Sequence, residues 1–426
     1  MKFDYGKEGL EIALKETWNY TILKPKEQKT VSHPVESIRR AIRNPIGTDP
    51  LHEIIERKEK LDQICIVVSD ATRPVPSHLL LKALVKELNL YGIPDEKIQV
   101  LIATGLHRPS REEELVRIMG AELKGRLRSS DHRATDRDSL VYLGEMEDHS
   151  PIYINKTFYE SDLKILTGYV EPHFFAGFSG GRKAIVPGIA GEETIQRNHS
   201  AANIASPFAR FGVYKENPLH QHALQIARKM EIDFMVNVCI DENHGITQIA
   251  AGDFEKAHEK LVEFQMKKVF HEIEKPYDIV VCGNGGYPLD LNLYQAVKSI
   301  AIGEMGVKKG GTIISVNECT DGIGIGQDKF RELLFFEESP KILYNKVLNE
   351  EIIVPDQWEI QVLTRVLMKA DVYIISQLKE QELGNLGLKY AESVEEAIKH
   401  ALRRHGSDAQ ILILPHGPQI LPILKK

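Results

Sequence analysis

Residues 64–102 read ICIVVSDATRPVPSHLLLKALVKELNLYGIPDEKIQVLI, and this stretch decides the fold. Ile64 to Val68 is an unbroken apolar run, as expected of a strand buried on both faces. Ser77 to Leu90 carries Leu80, Leu81, Leu84, Val85 and Leu88 at helical spacing. Ile98 to Ile102 is a second strand. Strand, helix and strand in that order predict a βαβ unit with parallel strands. Outward from it the pattern repeats. Ser110-Arg111-Glu112-Glu113 predicts a capping box for a helix to about Ile118. Strands are predicted at Leu163 to Leu166, Ile279 to Cys282, Thr312 to Val316, Val372 to Ile375 and Ile411 to Leu414. A Lys- and Glu-rich helix is expected over Phe254 to Pro276, with a domain boundary near residue 270. The predicted class is α/β: two α/β domains, residues 1–270 and 271–426, with mostly parallel sheets and an interdomain active-site cleft.

Composition narrows the function classes. The chain has 426 residues, 42% apolar and 27% charged, as in folded globular proteins. Its net charge of −7 speaks against coating nucleic acid. Apolar runs such as Ile411 to Pro415 are too short to span a bilayer, and Met1-Lys2-Phe3-Asp4 does not open a secretory leader. The 4 cysteines form no CxxC pair, so a cytoplasmic protein without disulfides is expected.

Chemistry-bearing residues gather after the predicted strands. These loops are Ser69-Asp70-Ala71-Thr72-Arg73-Pro74, Thr104-Gly105-Leu106-His107-Arg108-Pro109, Thr167-Gly168-Tyr169-Val170-Glu171-Pro172-His173, and Gly283-Asn284-Gly285-Gly286-Tyr287-Pro288. In open α/β sheets, ligands bind beyond the carboxyl ends of the strands. Helix caps and turns also favour such residues, but together the loops set Asp, two Arg and two His on one rim.

The richest segment runs His173-Phe174-Phe175-Ala176-Gly177-Phe178-Ser179-Gly180-Gly181-Arg182-Lys183. Its glycine turn and cations suit an anion, although GxxxxGK[ST] is absent and a tight surface turn fits the glycines equally well. Lys183 is either a solvated lysine or a partly buried, nucleophilic one. His199, in Asn198-His199-Ser200, is either a hydrogen-bonding residue or a metal ligand. No HExxH or Cys/His cluster is present, so any metal needs ligands from outside the chain. Further on, Asp290 to Lys298 predicts a helix on which Tyr294 and Lys298 share a face with Gln295 nearby. That face either grips a carboxylate or is simply solvated.

Taken together, Ser69–Pro74, Thr104–Arg108, Glu171–Gly188, Asn198–Ser200 and Tyr294–Lys298 resemble the nickel-dependent lactate racemase family. The resemblance implies a cofactor, the nickel-pincer nucleotide, a pyridinium mononucleotide with two sulfur-bearing arms. It implies covalent attachment at Lys183, with His199 as the chain's nickel ligand. Asp70, Ala71, Thr72 and Arg73 would line the cofactor. His107 and His173 would be the paired acid/base residues. Arg73, Gln295 and Lys298 would contact substrate, and Trp358 either adds an apolar wall or belongs to the core. The implied activity is racemisation of D- and L-lactate, or a related 2-hydroxy acid, by reversible hydride transfer from C2. Proteins that build and load the cofactor are implied partners. The competing readings are a racemase or epimerase of a larger acid (malate-like, aromatic or sugar acid) and a non-catalytic nucleotide- or phosphate-binding protein. A nicotinamide dehydrogenase is disfavoured because no GxGxxG follows a strand.

Overall fold

The computed structural model describes residues 1–241 and 243–425. The chain divides into two compact units, Gln28–Met266, and Met1–Glu27 with Lys267 onward. Both are α/β, as the alternation of strand and helix predicts.

The first unit is built on a six-stranded sheet. Its spatial order is Ile246–Gly252, Phe234–Ile240, Leu163–Tyr169, Ile64–Ser69, Ile98–Ala103 and Arg128–Asp131. All neighbours are parallel except the first pair. Ile64, Ile66, Val67 and Val68 have no exposed surface, so both sheet faces are covered. Helix Ser77–Leu90 buries Leu80, Leu81, Leu84, Val85 and Leu88 in the core of this unit, as their spacing predicts. The chain runs from Ile64–Ser69 to Ile98–Ala103 on one side, and later returns to Leu163–Tyr169 on the other. That reversal creates a crevice beyond the carboxyl ends of the central strands.

The second unit carries a fully parallel sheet, ordered Leu388–Tyr390, Asp371–Ile375, Val307–Val316, Tyr277–Gly283, Gln410–Leu414 and Asn19–Ile22. Its last strand comes from the chain's amino end. The expected domain of residues 1–270 is therefore corrected: its first 27 residues belong with the second unit. Asn19–Ile22 pairs with Gln410–Ile413, and Phe3, Ile12 and Trp18 are buried in the core there. Pairing between residues so distant in sequence leaves no local signal.

Three local expectations also shift. The Lys/Glu-rich helix spans Lys256–Val269, not to Pro276, because Phe270–Ile273 pairs as a strand with Leu421–Leu424. Ser110 does not cap the next helix. Its hydroxyl donates to Asp131 (2.7 Å), and Glu114 accepts from the Arg111 N–H (2.7 Å) to open helix Glu112–Met119. The helix expected from Asp290 begins at Leu293, capped by Asn292, whose side chain accepts from the Gln295 N–H (3.0 Å). Asp290 instead accepts from the N–H groups of Gly6 (2.7 Å) and Glu318 (3.0 Å). No helix among the described residues is long and apolar enough to cross a membrane.

Candidate active site

The loops after the three central strands of the first unit converge by hydrogen bonding. After Ile64–Ser69, Asp70 is buried and its Oδ2 lies 2.8 Å from His107 Nδ1. Thr72 Oγ1 donates to Asp70 Oδ1 (2.9 Å), and Arg73 Nη1 donates to Thr72 Oγ1 (3.2 Å). Burial works against the Asp70 charge. The attraction and hydrogen bond of His107, with Arg73 and Thr72, outweigh it and hold the carboxyl below its ordinary range. An ionised Asp70 accepts from Nδ1–H, so the lone pair of His107 sits at Nε2, as a base requires. Ala71 lies between Asp70 and Thr72 and is half-buried.

The His107 loop is tied to the lysine loop. Gly105 N–H donates to the Gly188 carbonyl (3.0 Å), and Thr104 Oγ1 donates to the His132 carbonyl (2.5 Å). His132 in turn reaches the Ala190 carbonyl through Nε2 (2.9 Å). After Leu163–Tyr169, the chain forms a tight pair, Pro172–His173 against Gly177–Phe178. His173 Nδ1 accepts from the Ala176 N–H (3.3 Å), and its Nε2 is 3.4 Å from Lys183 Nζ. Phe175 packs edge-on to His173 (4.6 Å between centroids) and to His199 (5.2 Å), with Lys183 Nζ 5.7 Å from its ring centre. His173, Lys183 and His199 therefore surround one buried phenyl ring.

His199 ends helix Glu192–Asn198, and its Nδ1 donates to the Ile195 carbonyl (3.0 Å). The neutral ring then carries its lone pair on Nε2. Burial, with the Lys183 charge second, pushes its pKa down to about 3. In the second unit, Lys298 Nζ donates to Gln295 Oε1 on helix Leu293–Gly306. Tyr294 is buried there, its hydroxyl donating to Asp356 (2.9 Å), and Trp358 is buried on helix Gln357–Leu367. The structure thus brings Asp70, Thr72, Arg73 and His107 into one chain of hydrogen bonds, and His173, Lys183 and His199 into one cluster. It sets Gln295 and Lys298 together on the other unit.

Comparison with known proteins places these features in a family. The model of the lactate racemase N-terminal domain matches residues 5–212, and that of the C-terminal domain matches residues 273–421. The chain belongs to the lactate racemase family. A lactate racemase of Thermoanaerobacterium thermosaccharolyticum is 37% identical over 428 residues, covering 99% of this chain and 98% of the relative. One from Lactiplantibacillus plantarum is 39% identical over 385 residues, covering 90% and 89%. The solved structure of the Thermoanaerobacterium thermosaccharolyticum lactate racemase apoprotein superposes with a TM-score of 0.90 at 35% identity, over 100% of this chain and 99% of that one. A Thermotoga maritima protein shares the fold at 21% identity and a TM-score of 0.71, over 92% and 98%. This member of the lactate racemase family is accordingly an isomerase.

Several contributors in this lactate racemase family member left no mark in the sequence pattern. His132, Asn237 and His258 lie far in sequence from the loops they hydrogen-bond to, and each reads locally as an ordinary buried or helical residue. Two of them make folding sensitive to acid. Burial pushes His132 down to about 4, and burial with the Arg182 charge pushes His258 down to about 3. Both stay neutral when folded, whereas an unfolded histidine titrates near pH 6.5. Below that pH the unfolded chain takes up protons that the folded one refuses. Stability held above pH 6.5 is therefore lost as pH falls towards 4, by about 3 kcal/mol from a group such as His132. Urea unfolding at pH 7.5 and pH 5 checks this. The midpoint should fall at the lower pH, and less steeply in His132→Gln.

Proposed function

We propose that this enzyme interconverts D- and L-lactate, or a related 2-hydroxy acid, using a nickel-pincer nucleotide held at Lys183 and His199. One observation carries the reading: His173, Lys183 and His199 meet around Phe175, while the loop bearing the His107–Asp70 pair is tied to the Lys183 loop through Gly105 and Gly188.

The residues fit such a group. The lone pair of His199 lies on Nε2 because Nδ1 is committed to Ile195, which suits a metal. Among the described residues, no three His, Cys, Asp or Glu gather to hold a metal ion. A cofactor that brings its own sulfur donors suits a site offering one imidazole and one amine. Lys183 would carry the nucleotide covalently, and Asp70 to Arg73 would line it. The chemistry supplied by the bound group is reversible acceptance of the C2 hydrogen together with its bonding electrons.

The chain's own residues do the rest. Breaking the C2–H bond in this sense needs the hydroxyl proton to leave. His107 takes it at Nε2, and the ionised Asp70 stabilises the imidazolium that results. His173 takes the same role for the substrate presented in the opposite orientation, so each enantiomer meets one base. His107 has its lone pair at Nε2 because Asp70 holds Nδ1–H, and the Nε2 of His173 lies 3.4 Å from the Lys183 amine. Arg73 offers a planar fork for the carboxylate, and Gln295 and Lys298 add contacts to substrate.

The test uses protein co-expressed with a nickel-pincer maturation system. Incubated with D-lactate, it should yield L-lactate up to an equal mixture by chiral chromatography. In heavy water, C2 should stay largely undeuterated. Rapid deuterium entry at C2 would indicate proton abstraction and overturn the mechanism. No conversion despite an intact adduct and bound nickel would reject lactate and point to a larger 2-hydroxy acid.

A further inference from the structure

Arg182 is the largest fully buried side chain among the described residues, and it is the neighbour of Lys183. Burying a guanidinium usually requires a carboxylate. Among the described residues none pairs with it: Nη1 donates to the Gly180 carbonyl (3.1 Å), Nη2 donates to the Ala176 carbonyl (2.9 Å), and Nε has no partner. Among the described residues, Tyr214, His220 and His258 interact with it electrostatically, and no carboxylate does; Glu255 and Glu259 act on Tyr214 instead. Burial lowers its pKa to about 10, which leaves it charged at neutral pH.

Of the two peptide groups it touches, Gly180 belongs to the turn that presents Lys183 and Ala176 to the tight pair before it. His258 Nε2 donates to the Ser179 carbonyl (2.8 Å), which fixes its tautomer and leaves Nδ1 to accept from the Tyr214 hydroxyl (3.1 Å). Asn237 Oδ1 accepts from the Gly181 N–H (2.9 Å). Three successive residues before Arg182 are thus held from beneath. The approach is close enough to demand glycine: a Cβ at Gly181 would lie 2.8 Å from His258 Cγ, and Gly181 has φ +55°.

We propose that Arg182, with His258 and Tyr214, is a buried clamp that positions Lys183 by fixing the Ser179–Gly181 turn. The inference rests on the reading of Lys183 as the attachment point, and it names positioning residues rather than catalytic ones. It accounts for a charge that stability alone does not favour, since replacing an uncompensated buried ion by an apolar side chain of similar size is often neutral or stabilising. Both carbonyls keep a backbone donor without Arg182: Lys183 N–H reaches Gly180 O (3.1 Å) and Phe178 N–H reaches Ala176 O (3.0 Å). Arg182→Met should therefore fold with an unchanged or raised melting temperature.

The experiment compares full-length wild type, Arg182→Met, Arg182→Lys and Tyr214→Phe. In cofactor-free protein, the acylation rate of Lys183 by a small water-soluble amine reagent is read from its peptide by mass spectrometry. In protein matured with cofactor, the fraction carrying the adduct is read from intact mass. Arg182→Met should raise Lys183 acylation about fivefold and lower adduct occupancy, because the lysine leaves its place against Phe175 and His173. Arg182→Lys should recover part of both, and Tyr214→Phe should shift acylation about twofold. Acylation and occupancy equal to wild type in folded Arg182→Met would overturn the clamp. If Arg182→Met does not fold, an unchanged acylation rate in Tyr214→Phe overturns it instead. A wild type that never acquires an adduct, with acylation still raised in Arg182→Met, would overturn the attachment role of Lys183 and leave the clamp standing.

Discussion

Lys183→Ala is expected to abolish both covalent cofactor loading and racemisation while leaving the protein folded. The substitution takes the amine and three methylenes from the site, and the amine's contacts with His173 and Phe175 are weak. Lys183 Nζ lies 3.4 Å from His173 Nε2 and 5.7 Å from the Phe175 ring centre, and neither is a buried ion pair. The loss in stability should be about 1 kcal/mol or less. The backbone of the turn is held by neighbours that remain, with Lys183 N–H donating to Gly180 O and Gly188 N–H to Lys183 O. Intact mass after maturation reads the first effect and chiral analysis of lactate the second. An adduct mass unchanged from wild type in Lys183→Ala would refute the assignment.

Single replacement of His107 or His173 by alanine is expected to cut turnover about 10²–10⁴-fold with the adduct retained. Neither histidine is the attachment point, so loading should separate cleanly from catalysis in these variants. Asp70→Asn should reproduce much of the His107 loss. An amide at this position donates as well as accepts, so it no longer dictates that Nδ1 carries the proton, and it cannot balance an imidazolium. The pair is short, 2.8 Å, and its carboxylate is buried, which strengthens the dependence. Initial rates from D- and L-lactate, measured separately with adduct occupancy, check these outcomes. Full turnover in either histidine variant would remove that residue from the acid/base pair.

Much of the site's composition was legible in the chain. Asp70, Arg73, His107, His173 and Lys183 stand out because loops after parallel strands seldom concentrate so many ionisable groups, and the structure sets those loops at the carboxyl ends of adjacent strands. Their mutual aim was not legible. Nothing in Ser69–Pro74 says that Asp70 accepts from a histidine 37 residues on, because that bond depends on two neighbouring strands ending at the same height. The role of Thr72 as a link between Asp70 and Arg73 is equally hidden, although all three are near neighbours.

The amino-acid order alone established the α/β class, helix Ser77–Leu90 with its buried face, and the concentration of ionisable residues in the loops after the strands. These follow from local periodicity and side-chain type, which operate over a few residues. Long-range pairing settled the remainder. It moved Met1–Glu27 to the second unit through Asn19–Ile22, and it ended helix Lys256–Val269 where Phe270–Ile273 finds Leu421–Leu424. It also buried Arg182 beneath the lysine turn, where a sequence reading sees only one more cation beside Lys183. Such outcomes turn on which distant backbone edges and side chains meet. That is a property of the packed chain, and no window of sequence contains it.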